Sequence, residues 1–364
     1  MSVPDLAGWT VGVTAARRRE ELGGALERRG ARIVYGSAIR IVPLADDTLL
    51  RTATEQCLTA PVDLTVATTG VGFRGWLDAA AGWGLGERLT ATLGASTILA
   101  RGPKVRGAVR AGGLREAWSP DSESSTEVLA HLLAHHDLDG RRIAVQLHGD
   151  PLRELVDTLR GKGADVIEVP VYRWEQPEDL APLHRLVDAV VGGGIDALTF
   201  TSAPAAVNFL RTADERGRDV RTALRGPVLC AAVGPVTAAP LLAANLPVCQ
   251  PERFRLGALV REVAERLPPR ATVLTAAGRR LELRGHAAVV DDTLVTLSAA
   301  AMALLRALAV QPGRVLSREE LVAALPGGTV DARDIEATIA RLRTALGDPA
   351  IVAPVGEQGY RLAA

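Results

Sequence analysis

The chain has 364 residues, enough for two or three domains, and its 48% hydrophobic and 23% charged content excludes disorder as its general state. Basic and acidic residues balance at 42 each, so no global field draws the chain to nucleic acid or membrane, and any such attraction has to be local. Cys57, Cys230 and Cys249 are too few and too scattered for a disulfide framework or a CxxC metal site, which fits a reducing cytoplasm.

The N-terminal stretch MSVPDLAGWT has no basic-then-apolar signal pattern. Trp9 to Thr14 alternates like a strand, Arg17 to Arg29 reads as a helix stopped by Gly30, and ARIVY follows as a second strand. This βαβ start predicts a parallel sheet. The extended segment Ile39 to Leu44 carries Pro43 and opens a new series. Helix 46–58, strand 64–68, helix 73–80, strand 97–100 and helix 104–111 come first; helix 125–135, strand 142–147, helix 152–161 and strand 165–169 follow. A second extended segment, Pro170 to Trp174, returns the chain to the first lobe. Helix 180–191, strand 197–200, helix 205–215, strand 228–232, helix 236–243, strand 247–250 and helix 256–267 complete it. The most apolar run, Pro227 to Cys249, is broken by Gly234, Pro235 and Pro240, so no membrane segment is expected.

Pro268-Pro269-Arg270 marks a change of character. Thr272 to Thr296 reads as an antiparallel meander, followed by helices 299–309, 318–325 and 332–346, begun by Ser298, Ser317 and Asp331, and by a hairpin over 351–362. In the third helix Ile335, Ile339, Leu342 and Leu346 form one stripe, leaving Arg333, Glu336, Ala337, Ala340, Arg341 and Thr344 facing outward.

Two stretches share one design. DALTFTSAPAAVNFL (Asp196 to Leu210) and DLTVATTGVGFRGWLDAA (Asp63 to Ala80) each run from an acid through a buried strand to adjacent hydroxyls and then a helix. Such corners put hydroxyls and free helix N–H groups at the carboxyl ends of parallel strands, where α/β folds bind ligands. Leu99 to Gly113 and Ala231 to Asn245 answer each other similarly, as strand, Gly-Pro and helix start.

LSAAAMALLRALAVQPGRVLSREEL, DIEATIARLRTALG and the closing GYRL resemble the winged helix-turn-helix domain of OmpR/PhoB-type response regulators. TSAPAAV at Thr201 to Val207, VGPVTA at Val233 to Ala238 and the crossing VYRW, in a two-lobe order, resemble the uroporphyrinogen-III synthase family. The expected fold is α/β: two parallel-sheet lobes joined by two extended segments, with lobe one from 1–42 and 171–267, lobe two from 43–170, and a separate winged helix over 272–364.

The resemblance implies a cytoplasmic lyase that closes linear hydroxymethylbilane into uroporphyrinogen III, inverting the last ring and losing water, with neither metal nor cofactor. A neutral phenol suits protonation of the departing hydroxyl, which makes Tyr172 the candidate acid. Thr69, Gly70, Thr201, Ser202, Gly234 and Thr237 suit the substrate carboxylates, with Arg17, Arg18, Arg101 and Lys104 adding charge. Arg333, Ala337, Arg341, Arg343, Thr344 and Arg361 are the expected DNA face, used by a homodimer on repeated half-sites. Departures from the family stand at Ala15, where an arginine is usual, and at Val105, where the corner usually offers threonine. The wing tip is Gly356-Glu357-Gln358, and from Thr275 onward ten arginines meet ten acids, so DNA binding is expected to be weak. A second function class keeps the same parts: lobes without turnover that sense a tetrapyrrole or another anion for a DNA-binding output.

Other motifs have plain readings. Gly70 to Gly75 matches GxGxxG but lies outside the first βαβ unit, and reads as a tight packed corner. His131 and His135 lie one helical turn apart without an evident third ligand, and read as a solvated helix face. His148 reads as a structural turn histidine, and Thr68 as a helix-capping neighbour.

Overall fold

The computed structural model describes residues 3–42, 47–120, 124–147, 152–172, 174–325 and 332–363, the last segment without the side chains of 332–334. His148, Asp331 and the Arg333 side chain therefore lie outside the described residues. Contacts divide the chain into two units, 40–175 and 1–39 with 176–364. Both crossing segments belong to the first of these, because Arg40–Ile41 and Trp174–Glu175 pair antiparallel with each other and Arg40 bonds Glu175 at 2.6 Å.

The unit 40–175 holds a five-stranded parallel sheet in the order Glu116–Trp118, Thr97–Ala100, Leu64–Ala67, Arg142–Leu147, Asp165–Pro170. Helices cover both faces, so the central strands read as continuous apolar runs. One face packs Phe73, Trp76, Leu89 and Val109 from three helices, and the other packs Leu129, Leu132, Leu155 and Leu159 from two. Helix Gly70–Gly82 starts three residues before the expected Phe73, because Thr69 caps it and its glycines enter the first turn. Helix Gly86–Ala95 escaped the sequence reading altogether, since Gly82, Gly84 and Gly86 give that stretch the look of a loop.

In the other unit the parallel order is Leu229–Ala232, Ala197–Phe200, Thr10–Val13, Arg32–Tyr35. The expected strand 247–250 is reduced to one bridge between Cys249 and Ala231. Pro247 and Pro251 bracket it, and without their N–H groups no ladder extends. Helix Ala203–Glu215 begins two residues early because Pro204 fits a first helical turn.

The same unit contains the winged helix. Thr272–Ala276, Arg279–Leu283, Ala287–Val290 and Thr293–Thr296 form a sequential antiparallel sheet. Helices Ala299–Ala309, Arg318–Ala323 and Ala332–Ala345 and the hairpin Val352–Val355 with Gly359–Leu362 enclose a core of their own, in which Ile335, Ile339, Leu342 and Leu346 are buried. The domain also packs on lobe one. Arg284 donates through Nη1 to Ala7 O at 2.7 Å, the His286 N–H to Gly8 O at 2.8 Å, and Gly285 lies where a Cβ would stand 1.8 Å from Asp196 Oδ2.

Candidate functional site

At the carboxyl edge of the five-stranded sheet, three strand exits bring polar groups to one rim. Thr69 follows Leu64–Ala67 and caps the next helix, its Oγ1 accepting the Gly72 N–H at 3.2 Å. Arg101 and Lys104 flank the Gly102-Pro103 helix start after Thr97–Ala100. Tyr172, half-buried, follows Asp165–Pro170, and its neighbour Val171 packs on the first turn of the Thr69 helix, 2.5 Å from where a Gly72 Cβ would stand. Gly70 is required here by close approach, because a Cβ would meet the Lys104 carbonyl oxygen at 2.6 Å. The glycines of the GxGxxG match thus serve helix packing.

A hollow of about 450 Å³ opens on this rim, lined by Thr69, Gly70, Val71, Arg74, Arg101 and Lys104 among others. Its lining has three cations and no acid, which suits an anionic ligand. A larger hollow of about 920 Å³ lies at the opposite, amino edge of the sheet. Its Asp63 and Arg141 already pair with each other at 2.9 Å, and no helix N-terminus of the hydroxyl-corner type faces it, so the carboxyl edge is the candidate site.

Gln146 and Arg74 belong to this rim and were missed in the sequence. The Gln146 Oε1 accepts the Thr68 N–H at 2.9 Å, and its Nε2 donates to Thr69 O at 3.2 Å and Oγ1 at 3.3 Å. Thr68 Oγ1 donates to the Gln146 carbonyl at 2.9 Å, so that hydroxyl is spent on the fold while Thr69 faces the hollow. Arg74 sits one turn inside the capped helix, a spacing that the sequence does show. Val105 is buried in the core, with part of its side chain toward the hollow, which gives an apolar replacement for threonine a packing role.

Lobe one repeats the arrangement at the carboxyl edge of its own sheet. Ser202 caps helix Ala203–Glu215, its Oγ accepting the Ala205 N–H at 3.4 Å, with half-buried Thr201 beside it. Gly234 precedes helix Pro235–Ala243, and Thr237 is buried in its first turn. Phe254, another residue the sequence reading missed, lies over this corner: it is 62% exposed, and a Cβ on Gly234 would meet its ring at 2.9 Å. Arg17 and Arg18 follow Thr10–Val13 on the same edge and are exposed. Arg18 adopts a left-handed backbone with φ 52° and grips Glu21 through Nε and Nη2 at 2.5 Å each, so its charge is already engaged. At the exit of the same strand Ala15 is buried, its methyl side chain apolar and its carbonyl accepting the Ser37 hydroxyl at 2.9 Å.

The acids that open the two repeated strands act at the other edge. Asp63 accepts the Arg142 N–H and Asp196 the Thr10 N–H, each at 2.8 Å, so both brace the start of a neighbouring strand. Their environments shift them oppositely. The Arg142 N–H, then Arg141, hold the Asp63 carboxyl below the usual range, whereas burial pushes Asp196 above it despite the Thr10 N–H and Arg306.

On the C-terminal domain the outward face of helix Ala332–Ala345 carries Glu336, Ala337, Arg341 and Thr344, all exposed. Arg341 lies back along the helix onto Ala337 O at 3.1 Å, and Arg343 turns away to Pro349 O at 3.2 Å, so these two do not share one orientation. Arg361 is exposed on the closing hairpin. Arg318, absent from the sequence reading, ties the face together. It holds Glu336 Oε1 through Nη2 at 2.8 Å and donates through Nη1 to the wing carbonyl of Glu357 at 3.2 Å. On the helix face expected to be solvated, half-buried His131 stacks on Trp118 at 3.9 Å and exposed His135 on His131 at 4.3 Å.

Comparison with known proteins agrees with this division. Residues 20–261 match the family described as uroporphyrinogen-III synthase HemD, and residues 292–362 match the transcriptional regulatory protein C-terminal domain. A Bacillus subtilis protein, Uncharacterized protein YjjA, is 29% identical over 266 residues, covering 71% of this chain and 96% of its own length. A crystal structure of a mutant uroporphyrinogen III synthase from Thermus thermophilus superposes with TM-score 0.53 at 28% identity, over 70% of this chain and 96% of that one. The Klebsiella pneumoniae RstA DNA-binding domain, in complex with the RstA box, is 26% identical over 25% of this chain and 97% of that one, with TM-score 0.22. Among the described residues no helix is long and apolar enough to cross a membrane.

Proposed function

The chain belongs to the uroporphyrinogen-III synthase family, and we propose that its lobes close hydroxymethylbilane into uroporphyrinogen III while its C-terminal domain binds DNA. The observation that carries the first half is the rim of the five-stranded sheet. There Tyr172, the Thr69 cap and a hollow lined by Arg74, Arg101 and Lys104 lie at the exits of parallel strands. The cations and helix N–H groups bind the substrate carboxylates and orient the chain of pyrroles. Tyr172 donates a proton to the terminal hydroxyl, which leaves as water; the resulting electrophilic carbon bonds to the substituted position of the last ring, the bond from that position to its original methylene bridge breaks, the freed methylene re-bonds at the ring's unsubstituted carbon, and the proton of that carbon returns to the Tyr172 phenolate. Thr201, Ser202, Gly234 and Thr237 supply equivalent anion contacts from lobe one, and exposed Phe254 offers a pyrrole a flat apolar face.

On the C-terminal domain, Arg341, Thr344 and Arg361 meet DNA, with Arg333 and Ala337 on the same helix and Arg343 toward a flanking phosphate. Glu336, neutralised by Arg318, opposes phosphate less than an isolated acid would. A sensor without turnover is the second reading, motivated by the apolar Val105 corner and the engaged Arg18.

Tyr172→Phe tests the catalytic assignment, because only the phenolic donor is removed. Formation of the III isomer is expected to fall by roughly 100-fold or more, the range for loss of a general acid, with the thermal midpoint unchanged. Undiminished turnover would dismiss Tyr172 as the acid.

A further inference from the structure

The C-terminal domain meets lobe one around a cavity of about 720 Å³ at the amino edge of the four-stranded sheet, away from the hydroxyl corners. Trp9, Asp196 and Pro227 line it from the lobe, and Leu283, Arg306 and Val310 from the C-terminal domain, with Arg270 at the boundary between them. Two features of this lining stand out physically.

The first is charge. Arg284 is buried and paired with Glu282 at 2.9 Å, and Glu282 also takes Arg280 at 3.2 Å. The lining sets Arg270, Arg284 and Arg306 against Asp196, and Glu282 outside it is shared with Arg280, so positive charge is in excess at the cavity. Arg306 donates through Nη2 to Arg284 O at 3.0 Å and Gly285 O at 2.8 Å, and Arg270 donates through Nη2 to Gly226 O. Carbonyl oxygens orient a guanidinium without neutralising it, and a guanidinium has further N–H groups to offer. The second feature is apolar. Val310 is 85% exposed, more than any other large apolar side chain among the described residues, and it lies beside Leu283 and Pro227 on the cavity wall. An occupant that covers it removes apolar surface from water.

We propose that this cavity binds a small monocarboxylate with an apolar body, its carboxylate met by Arg270 and Arg306 and its body laid along Pro227, Leu283 and Val310. The excess of positive charge selects an anion, the apolar wall favours a body with a single charged end, and the planar fork of arginine matches a carboxylate in bidentate fashion. Because the walls come from both the lobe and the C-terminal domain, occupancy strengthens their association by linkage. The inference does not depend on turnover by the lobes.

Trp9 supplies the reporter, since its indole N–H is buried at the cavity and has no acceptor among the described residues. In full-length protein labelled with nitrogen-15, the Trp9 indole resonance is assigned by its loss in Trp9→Phe and followed while sodium hexanoate is added. Parallel titrations use hexan-1-ol and hexylammonium chloride. A saturable shift with hexanoate alone is expected, weakened at least tenfold in Arg270→Gln and abolished in Arg270→Gln with Arg306→Gln. Both arginines are exposed, so the variants are expected to melt like wild type. If the double variant unfolds, Arg270→Gln alone decides. No saturable shift, an equal response to all three compounds, or unchanged hexanoate affinity in the arginine variants would each overturn the proposal.

Discussion

Gln146 does more for the hydroxyl corner of lobe two than the threonines do for each other. It receives the Thr68 N–H and donates to Thr69, fixing the residue that faces the hollow. Gln146→Leu keeps the volume and leaves a buried N–H without its acceptor, a loss worth about 1–3 kcal/mol. Urea unfolding is expected to show that destabilisation, and the KM for the bilane is expected to rise because Thr69 loses its brace. Unchanged stability would show that water replaces the amide. This residue could not be read from the sequence, where Gln146 stands 78 positions from Thr68 with nothing in the intervening pattern to connect them. The repeated acids were visible, but not their roles. Asp63 and Asp196 look identical in sequence, but the Arg142 N–H and Arg141 hold the first below the usual carboxylate range while burial beside Gly285 pushes the second above it.

Elements were legible where the signal is local. The strand, hydroxyl and helix corners at Thr69 and Ser202 follow from capping chemistry, and the buried stripe of helix Ala332–Ala345 from its period. Elements rich in glycine, such as Gly86–Ala95, were not legible, because tertiary packing overrides their weak propensity. The DNA face was half legible: its helix and wing could be placed, but the Arg318 bridge between them spans 18 residues to Glu336 and 39 to Glu357. With one arginine engaged in that bridge and an acid at the wing tip, few counterions are released on binding. Glu357→Lys with Gln358→Arg is expected to raise affinity for specific and unrelated DNA alike and to steepen the salt slope by about 2, roughly one for each added phosphate contact. DNA titrations across a salt series check this, and an unchanged slope would place the wing away from phosphate.

At the scale of the whole molecule, the C-terminal domain is joined to lobe one through buried polar groups as well as through the chain. His286 Nδ1 lies 3.2 Å from Thr10 Oγ1, and its N–H is given to Gly8. Burial, then the charge of Arg32, hold its pKa below the ordinary 6.5. The folded state therefore binds fewer protons than the unfolded one at this site, so the stabilisation is present above pH 6.5 and lost as pH falls through the folded value. Asp196 works the other way, its raised pKa costing stability as pH climbs through the ordinary carboxylate range near 3.8. His131, which burial also holds below 6.5, adds a loss of the same sign between pH 7 and pH 5, and the variant His286→Gln isolates the share of His286. The thermal midpoint of the wild type is expected to fall on acidification through this window, and that of His286→Gln to fall less. Parallel slopes would remove His286 as the cause.

The central claim is that this chain turns over hydroxymethylbilane although buried, apolar Ala15 and Val105 stand at two of its strand-exit corners. The most direct measurement feeds hydroxymethylbilane to the full-length protein and resolves the III isomer from the I isomer that forms spontaneously. Formation of III in excess, increasing with protein concentration, is the expected result. A product mixture indistinguishable from that of the protein-free reaction would contradict it.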